Sequence, residues 1–246
     1  MNLLLTNDDG YNERGLMILA SELRKEHNVF ILAPEANRSA VSHCITMTKP
    51  LTLKKMADNE YTCSGFPADC AIIGLKSNLF PKIDALISGI NYGANIGTDV
   101  IYSGTCAAAR QAVIYGVPGI ALSVEFRDSV SGIMPKKADY KFDAMAKFAR
   151  ENLSELMKMA ATTYPYLFVN CNGLSIDSYK GMKEAKEISV RHYGDYIKLD
   201  GPEYNIRSIF YPGQTKTLGS EESDYAITND GYVSVSRIYA EPVIGI

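Results

Sequence analysis

Short apolar runs alternate with helically spaced apolar positions along the first two thirds of the chain. Met1-Asn2-Leu3-Leu4-Leu5-Thr6 reads as a buried strand that stops at Asn7-Asp8-Asp9-Gly10. Residues from Glu13 to Leu23 read as an amphipathic helix, and Asn28 to Ala33 as a second strand ended by Pro34. A βαβ unit thus closes within about 35 residues, as in a doubly wound sheet. The alternation goes on. Gly65 to Leu75 is a turn entering a helix, with Pro67 in a first turn that tolerates it and Asp69 where the helix dipole favours a carboxylate. Ile83 to Gly89 is a strand, Thr105 to Gly116 a helix with Gly116 at its C-cap, and Pro118 to Val124 a strand. Ala138 to Ala160 carries Phe142, Met145, Phe148, Ala149, Leu153, Leu156 and Met157 at helical spacing, as one helix or two, and Tyr166 to Asn170 is a further strand.

Elsewhere the pattern is extended. Ile45 to Lys55 reads as an arm, and Glu187 to Arg191 and Ile206 to Tyr211 as further extended pieces. Ala226 to Val235 reads as a hairpin across Asn229-Asp230-Gly231. The expectation is an α/β fold: a mostly parallel, three-layer sheet over about 1–180, then a β-rich extension, 181–246, forming an oligomerisation arm and hairpin. An arm with little core of its own packs on another subunit, so a homodimer or homotetramer is expected.

The 246 residues, 46% apolar and 22% charged, fit a single globular α/β domain. A net charge of −3 gives no basic stripe for a nucleic-acid polymer. No apolar run reaches the roughly 18 residues of a membrane span, and no basic stretch precedes the first apolar run as in a signal peptide. Cys44, Cys63, Cys70, Cys106 and Cys171 form no Cys-x-x-Cys pair, so most of them read as buried thiols of a cytoplasmic protein. Three scattered histidines leave oxygen as the main ligand for any metal.

Oxygen donors gather on loops that leave the carboxyl ends of strands, where open α/β sheets bind ligands. Asp8 and Asp9 follow the first strand, Ser39 lies in the polar loop after the second, and Asn91 and Asn95 follow the strand ending near Gly89. Adjacent carboxylates raise each other's pKa unless a positive charge compensates, and a divalent cation does so. Hard oxygen donors with two carboxylates suit Mg²⁺, Mn²⁺ or Ca²⁺. Asp-Asp-Gly reads equally as a plain turn, and Ser39 as a turn or cap. The glycine-rich stretch from Ile90 to Thr105 is long for a packing element, and such loops are usually functional or disordered. It ends in Ser103-Gly104-Thr105 at a helix N-terminus, which reads as a phosphate cradle or as simple capping. No Gly-x-Gly-x-x-Gly follows the first strand, which disfavours a dehydrogenase.

Leu3-Leu4-Leu5-Thr6-Asn7-Asp8-Asp9-Gly10 resembles the opening motif of the SurE survival proteins, which are metal-dependent nucleotidases. Ala33-Pro34 through Arg38-Ser39, Gly65-Phe66-Pro67-Ala68-Asp69-Cys70, Ser88 through Gly97, and Asp99 through Thr105 resemble further blocks of that family, in order. The resemblance is dense over roughly the first half, thin from 125 to 220, and returns in Gly231-Tyr232-Val233-Ser234-Val235. Asn12-Glu13-Arg14-Gly15 departs from the Ala-Pro that the family often has before this glycine. The resemblance implies a Rossmann-like fold with an extension exchanged between subunits. It implies release of phosphate from nucleoside 5′- and 3′-monophosphates and, in some members, from short polyphosphate. By motif, Asp8, Asp9, Ser39 and Asn91 would hold one divalent cation per subunit, and Asn95, Ser103, Gly104 and Thr105 would line the phosphate site. Water activated at the cation would attack phosphorus, with Asp8 or Asp9 orienting it or taking its proton. An aspartyl-phosphate route lacks the Asp-x-Asp-x-Thr pattern. A nucleotide-binding regulator without turnover is the non-enzymatic alternative.

Overall fold

A computed structural model of the chain describes residues 1–126, 136–193 and 215–241. Leu3, Leu4 and Leu5 of β1 (Asn2–Thr6) have no exposed surface. Successive strand residues face opposite sides. Leu3 and Leu5 pack with Leu16 and Leu19 of α1 (Arg14–Leu23) and with Met145 and Leu156 of α4 (Asp143–Met159). Leu4 faces the other way, among Cys70 and Ala71 of α2 (Pro67–Lys76) and Ala108 and Ala112 of α3 (Gly104–Ile114). Two helical layers therefore sandwich one sheet.

The remaining strands are β2 (Asn28–Pro34), β3 (Leu53–Ala57), β4 (Glu60–Cys63), β5 (Ala85–Tyr92), β6 (Gly119–Glu125), β7 (Leu167–Leu174), β8 (Met182–Glu184), β9 (Val190–Tyr193), β10 (Thr215–Leu218) and β11 (Val233–Tyr239). The nine-stranded sheet runs β3-β4-β2-β1-β5-β6-β7-β11-β8. β1 pairs in parallel with β2 on one side and β5 on the other, Leu4 lying between Phe30 and Leu86. The chain builds outward through β2 and then returns to β5, so the strand order reverses beside β1. That reversal opens the crevice in which α/β sheets bind ligands.

Three expectations change. The residues expected to form a hairpin instead form α5 (Asp224–Asn229) followed by β11. Ser223 caps the helix by accepting a bond from Ala226 N, and Gly231, at φ +85°, ends it. Asn-Asp-Gly is thus a helix stop here rather than a hairpin turn. β11 runs antiparallel to β7, pairing Ser234 with Asn172 and Tyr239 with Leu167, and carries β8 on its outer edge. Residues beyond 180 therefore complete the central sheet as well as forming the separate β9–β10 ribbon. The predicted extended piece Ile206–Tyr211 lies outside the described residues. Finally, only the end of the Ile45–Lys55 arm is strand. It turns back through Asp58-Asn59 into β4, with Asn59 in the left-handed region at φ 64°.

Candidate metal and phosphate site

Asp8 and Asp9 leave β1 in a turn closed by Asn7, whose side chain donates to Gly10 O (2.9 Å) and accepts from Gly10 N (3.1 Å). Both carboxylates are almost entirely buried, Asp8 at 3% and Asp9 at 5% exposure. Asp8 is fixed by the first turn of α3. Thr105 donates its hydroxyl to Asp8 Oδ1 (2.6 Å) and its N–H to Oδ2 (3.1 Å). Gly104 permits this approach, because a Cβ there would come within 2.8 Å of Asp8 Cβ and 3.0 Å of Pro67 Cγ. Burial pushes the Asp8 carboxyl above its ordinary value, and the Thr105 bonds pull against it. Asp9 is pushed up to about 7, first by burial and then by the neighbouring Asp8 charge. Its Oδ2 is buried and makes no hydrogen bond.

A cleft of about 200 Å³ brings together Asp8, Ser39, Asn91, Asn95 and Ser103. The three loops named from the sequence therefore converge. Ser39 is exposed, on a loop tied to the carboxylate turn by Arg38 N donating to Asp8 O (2.6 Å). Asn91 is the penultimate residue of β5, and its Nδ2 donates to Gly93 O (2.8 Å), which leaves its oxygen as the group for the cleft. Asn95 Nδ2 donates to Ser123 Oγ (2.9 Å). Ser103 lines the cleft while its Oγ accepts from Cys106 N (3.0 Å) as the N-cap of α3. Asp9, Gly104 and Thr105 are not among the lining residues. Thr105, expected to face phosphate, spends both its donors on Asp8. A larger hollow of about 410 Å³, lined by residues such as Lys183, Glu222 and Asp230, contains none of the candidate residues.

Several supporting residues escape a reading of the sequence. Asn170 Nδ2 (2.8 Å) and Asn172 Nδ2 (3.3 Å) both donate to Asn95 O, anchoring the loop from β7. Two buried asparagines at i and i+2 of an apolar strand were the available signal. Asp224, with no exposed surface, accepts from Gly97 N (2.6 Å) and from Ser189 N (2.9 Å) and Oγ (2.6 Å). Arg191 Nη1 donates to Asp99 Oδ2 (2.8 Å), and Tyr193 also donates to that oxygen. The segment after 180 thus holds the loop between β5 and α3 from its far side.

The donor set fits a hard divalent cation. Two buried carboxylates stand side by side, and Asp9 Oδ2 has no partner, a costly arrangement for a charge unless a cation meets it. Hydroxyl and amide oxygens complete the neighbourhood. Among the described residues no group of three or more His, Cys, Asp or Glu that could hold a metal is found, so Asp8 and Asp9 would need the neutral oxygens of Ser39 and Asn91 beside them.

A family model described as "Survival protein SurE" matches residues 3–195. The 5′-nucleotidase SurE of Pseudothermotoga lettingae is 37% identical over 243 residues, covering 97% of this chain and 88% of its own length. That of Thermosipho africanus is 38% identical over 248 residues, covering 97% and 91%. The crystal structure of the SurE protein from Aquifex aeolicus superposes with a TM-score of 0.75 at 28% identity, over 99% of this chain and 95% of that one. The dense motif blocks of the first half, the sheet order and these matches agree, and the chain belongs to the SurE family.

Proposed function

We propose that the protein is a metal-dependent phosphomonoesterase that releases phosphate from nucleoside 5′- and 3′-monophosphates, using Mg²⁺ or Mn²⁺ held by Asp8, Asp9, Ser39 and Asn91. Relatives that are named 5′-nucleotidases and span nearly the whole chain support turnover over a purely regulatory role. The observation that carries the metal assignment is the partnerless, buried Oδ2 of Asp9 beside an Asp8 that Thr105 holds rigidly.

A divalent cation, when bound, neutralises phosphate charge and lowers the pKa of water. The protein's own part is positioning and electrostatics, which dominate phosphoryl transfer. Thr105 locks the Asp8 carboxylate in one orientation. Asp8 or Asp9 orients the attacking water or takes its proton. The N-terminus of α3 turns its positive end toward the cleft through Ser103, favouring the phosphate oxygens. Asn95 also lines the cleft, its backbone pinned by Asn170 and Asn172. All five cysteines are free thiols, which supports a cytoplasmic location. No helix among the described residues is long and apolar enough to cross a membrane. Exposed Ile101, Leu218 and Tyr239 support assembly as a homodimer or homotetramer.

The test is phosphate release from a panel of nucleoside 5′- and 3′-monophosphates and tripolyphosphate, with Mg²⁺, with Mn²⁺ and after chelation. Release that chelation abolishes and metal restores is expected. Folded protein that binds nucleotide but releases no phosphate with any metal contradicts the reading.

A further inference from the structure

The strap that carries Ser39 is pinned at both ends. Arg38 donates from Nε to Gly65 O (3.3 Å) and from Nη2 to Ser64 O (3.2 Å). At the other end Thr46 donates its N–H (2.9 Å) and its hydroxyl (2.7 Å) to Asp69, in the first turn of α2. Between these pins the backbone is strained. Ala40, at φ 57°, and Ser42, at φ 54°, both lie in the left-handed region, which disfavours a residue with a Cβ. Such conformations persist where surrounding contacts impose them, and they gather at clamps and switches.

Three bonds impose it here, all made to the segment that ends in α3. Ser42 donates its N–H to Tyr102 O (2.8 Å) and its hydroxyl to Ile101 O (2.7 Å). His43 Nε2 donates to Oε1 of Gln111, a buried residue of α3 (2.9 Å). Of the three, the His43–Gln111 bond alone joins two side chains, so it is the one that depends on both residue types. Ser39, Ala40 and Tyr102 line the cleft, whereas His43 and Gln111 do not. Their effect on the cleft must therefore pass through the strap.

We infer that His43 is a positioning residue: its bond to Gln111 latches the strained strap to α3 and so holds Ser39 at the cleft for the divalent cation. This rests on the reading of Ser39 as a metal ligand and deepens it. With the latch broken, Ala40 and Ser42 relax toward ordinary backbone angles and Ser39 leaves the cleft. Binding of the cation must then restore the strap first, so apparent affinity falls with the fraction of protein that is latched. Turnover at saturating metal is spared.

Mn²⁺ binding, followed by the paramagnetic resonance signal of free Mn²⁺, reads affinity without turnover. His43→Ala is expected to raise the dissociation constant about tenfold, with kcat at saturating Mn²⁺ close to that of wild type. His43→Gln, whose amide nitrogen can take the place of Nε2, is expected to restore the wild-type constant. Gln111→Leu breaks the latch from the other side and is expected to match His43→Ala, with the double variant no worse than either, as coupled partners require. In a Ser39→Ala background His43→Ala is expected to add nothing, because the latch acts through Ser39. Unchanged binding in both single variants, effects that add in the double variant, His43→Gln as weak as His43→Ala, or a further loss in the Ser39→Ala background overturns the inference while the metal reading stands. Wild-type protein that binds no Mn²⁺ would strike the metal reading itself, and the latch with it.

Discussion

Thr105 grips Asp8 with two donors, hydroxyl to Oδ1 at 2.6 Å and N–H to Oδ2 at 3.1 Å. A helix N-terminus that serves as an anion cradle in other folds here first orients a carboxylate of the protein itself. Thr105→Val keeps the shape and the N–H but removes the hydroxyl. Groups that orient metal-binding carboxylates are worth about 10–100-fold in metal affinity or activity. The variant is therefore expected to need about 10–100 times more Mg²⁺ for half-maximal phosphate release. An unchanged metal titration would show that Asp8 does not depend on this grip.

Gly104 stands where any side chain would strike Asp8. Gly104→Ala must push α3 away from β1 or rotate Asp8. It is expected to lower kcat by at least about tenfold, the scale of a misplaced catalytic group, while circular dichroism stays native. Wild-type kcat in a folded Gly104→Ala protein would mean that the close approach is incidental.

Asp9→Asn separates stability from activity. The metal-free fold carries a buried carboxylate whose pKa is raised to about 7 by burial and by Asp8. Replacing it with a neutral amide is expected to stabilise the chelated protein by roughly 1 kcal/mol at neutral pH, while metal-dependent turnover disappears. Chemical denaturation and phosphate release, run on the same preparation, read both effects. A variant that is both less stable without metal and still active would contradict this account of Asp9.

The same group sets a pH dependence. Its folded value, about 7, lies above the ordinary 3.8. The stability it contributes is therefore complete below the lower value and is lost as pH rises through the upper one. A cation favours the ionised form, so its uptake releases a proton inside that window. Added Mg²⁺ is expected to raise Tm more at about pH 7.5 than at about pH 5. Equal increments at both pH values would argue against Asp9 as a ligand.

Asp224 ties Gly97 and Ser189 together with no exposed surface. Asp224→Asn turns one acceptor oxygen into a donor that faces other donors. The expected cost is about 1–3 kcal/mol of stability, the penalty of unsatisfied buried groups, and a higher KM as the loop before α3 loosens. Unchanged denaturation and kinetics would remove Asp224 from the support of the site.

The first half of the fold was legible because each local signal agreed with the global arrangement. Leu3 to Leu5, Val29 to Ala33 and Ala85 to Ile87 are apolar on both faces, as parallel strands between two helical layers must be. The convergence of Asp8, Ser39, Asn91 and Asn95 followed from their place at strand ends, given the right neighbours. What escaped depended on long-range pairing. Nothing local to Val233–Tyr239 says that it returns to pair with β7, and Asn229-Asp230-Gly231 suits a hairpin turn as well as a helix stop. Ser223 as a cap decides between them. Thr105's true partner was hidden for a similar reason: its bond to Asp8 spans 97 residues. Asp224 reaches Gly97 across 127 residues and Arg191 reaches Asp99 across 92, Arg191 in a stretch where the family resemblance is thin.

The central claim is that Asp8 and Asp9 together hold a divalent cation that phosphate release requires. Phosphate release from a nucleoside 5′-monophosphate, titrated with Mn²⁺ for wild type and Asp8→Asn after complete chelation, tests it most directly. The account predicts saturable restoration of wild-type activity, and in the folded variant a loss of most activity with a large shift in metal requirement. Wild-type turnover at the same Mn²⁺ concentration in Asp8→Asn would contradict it.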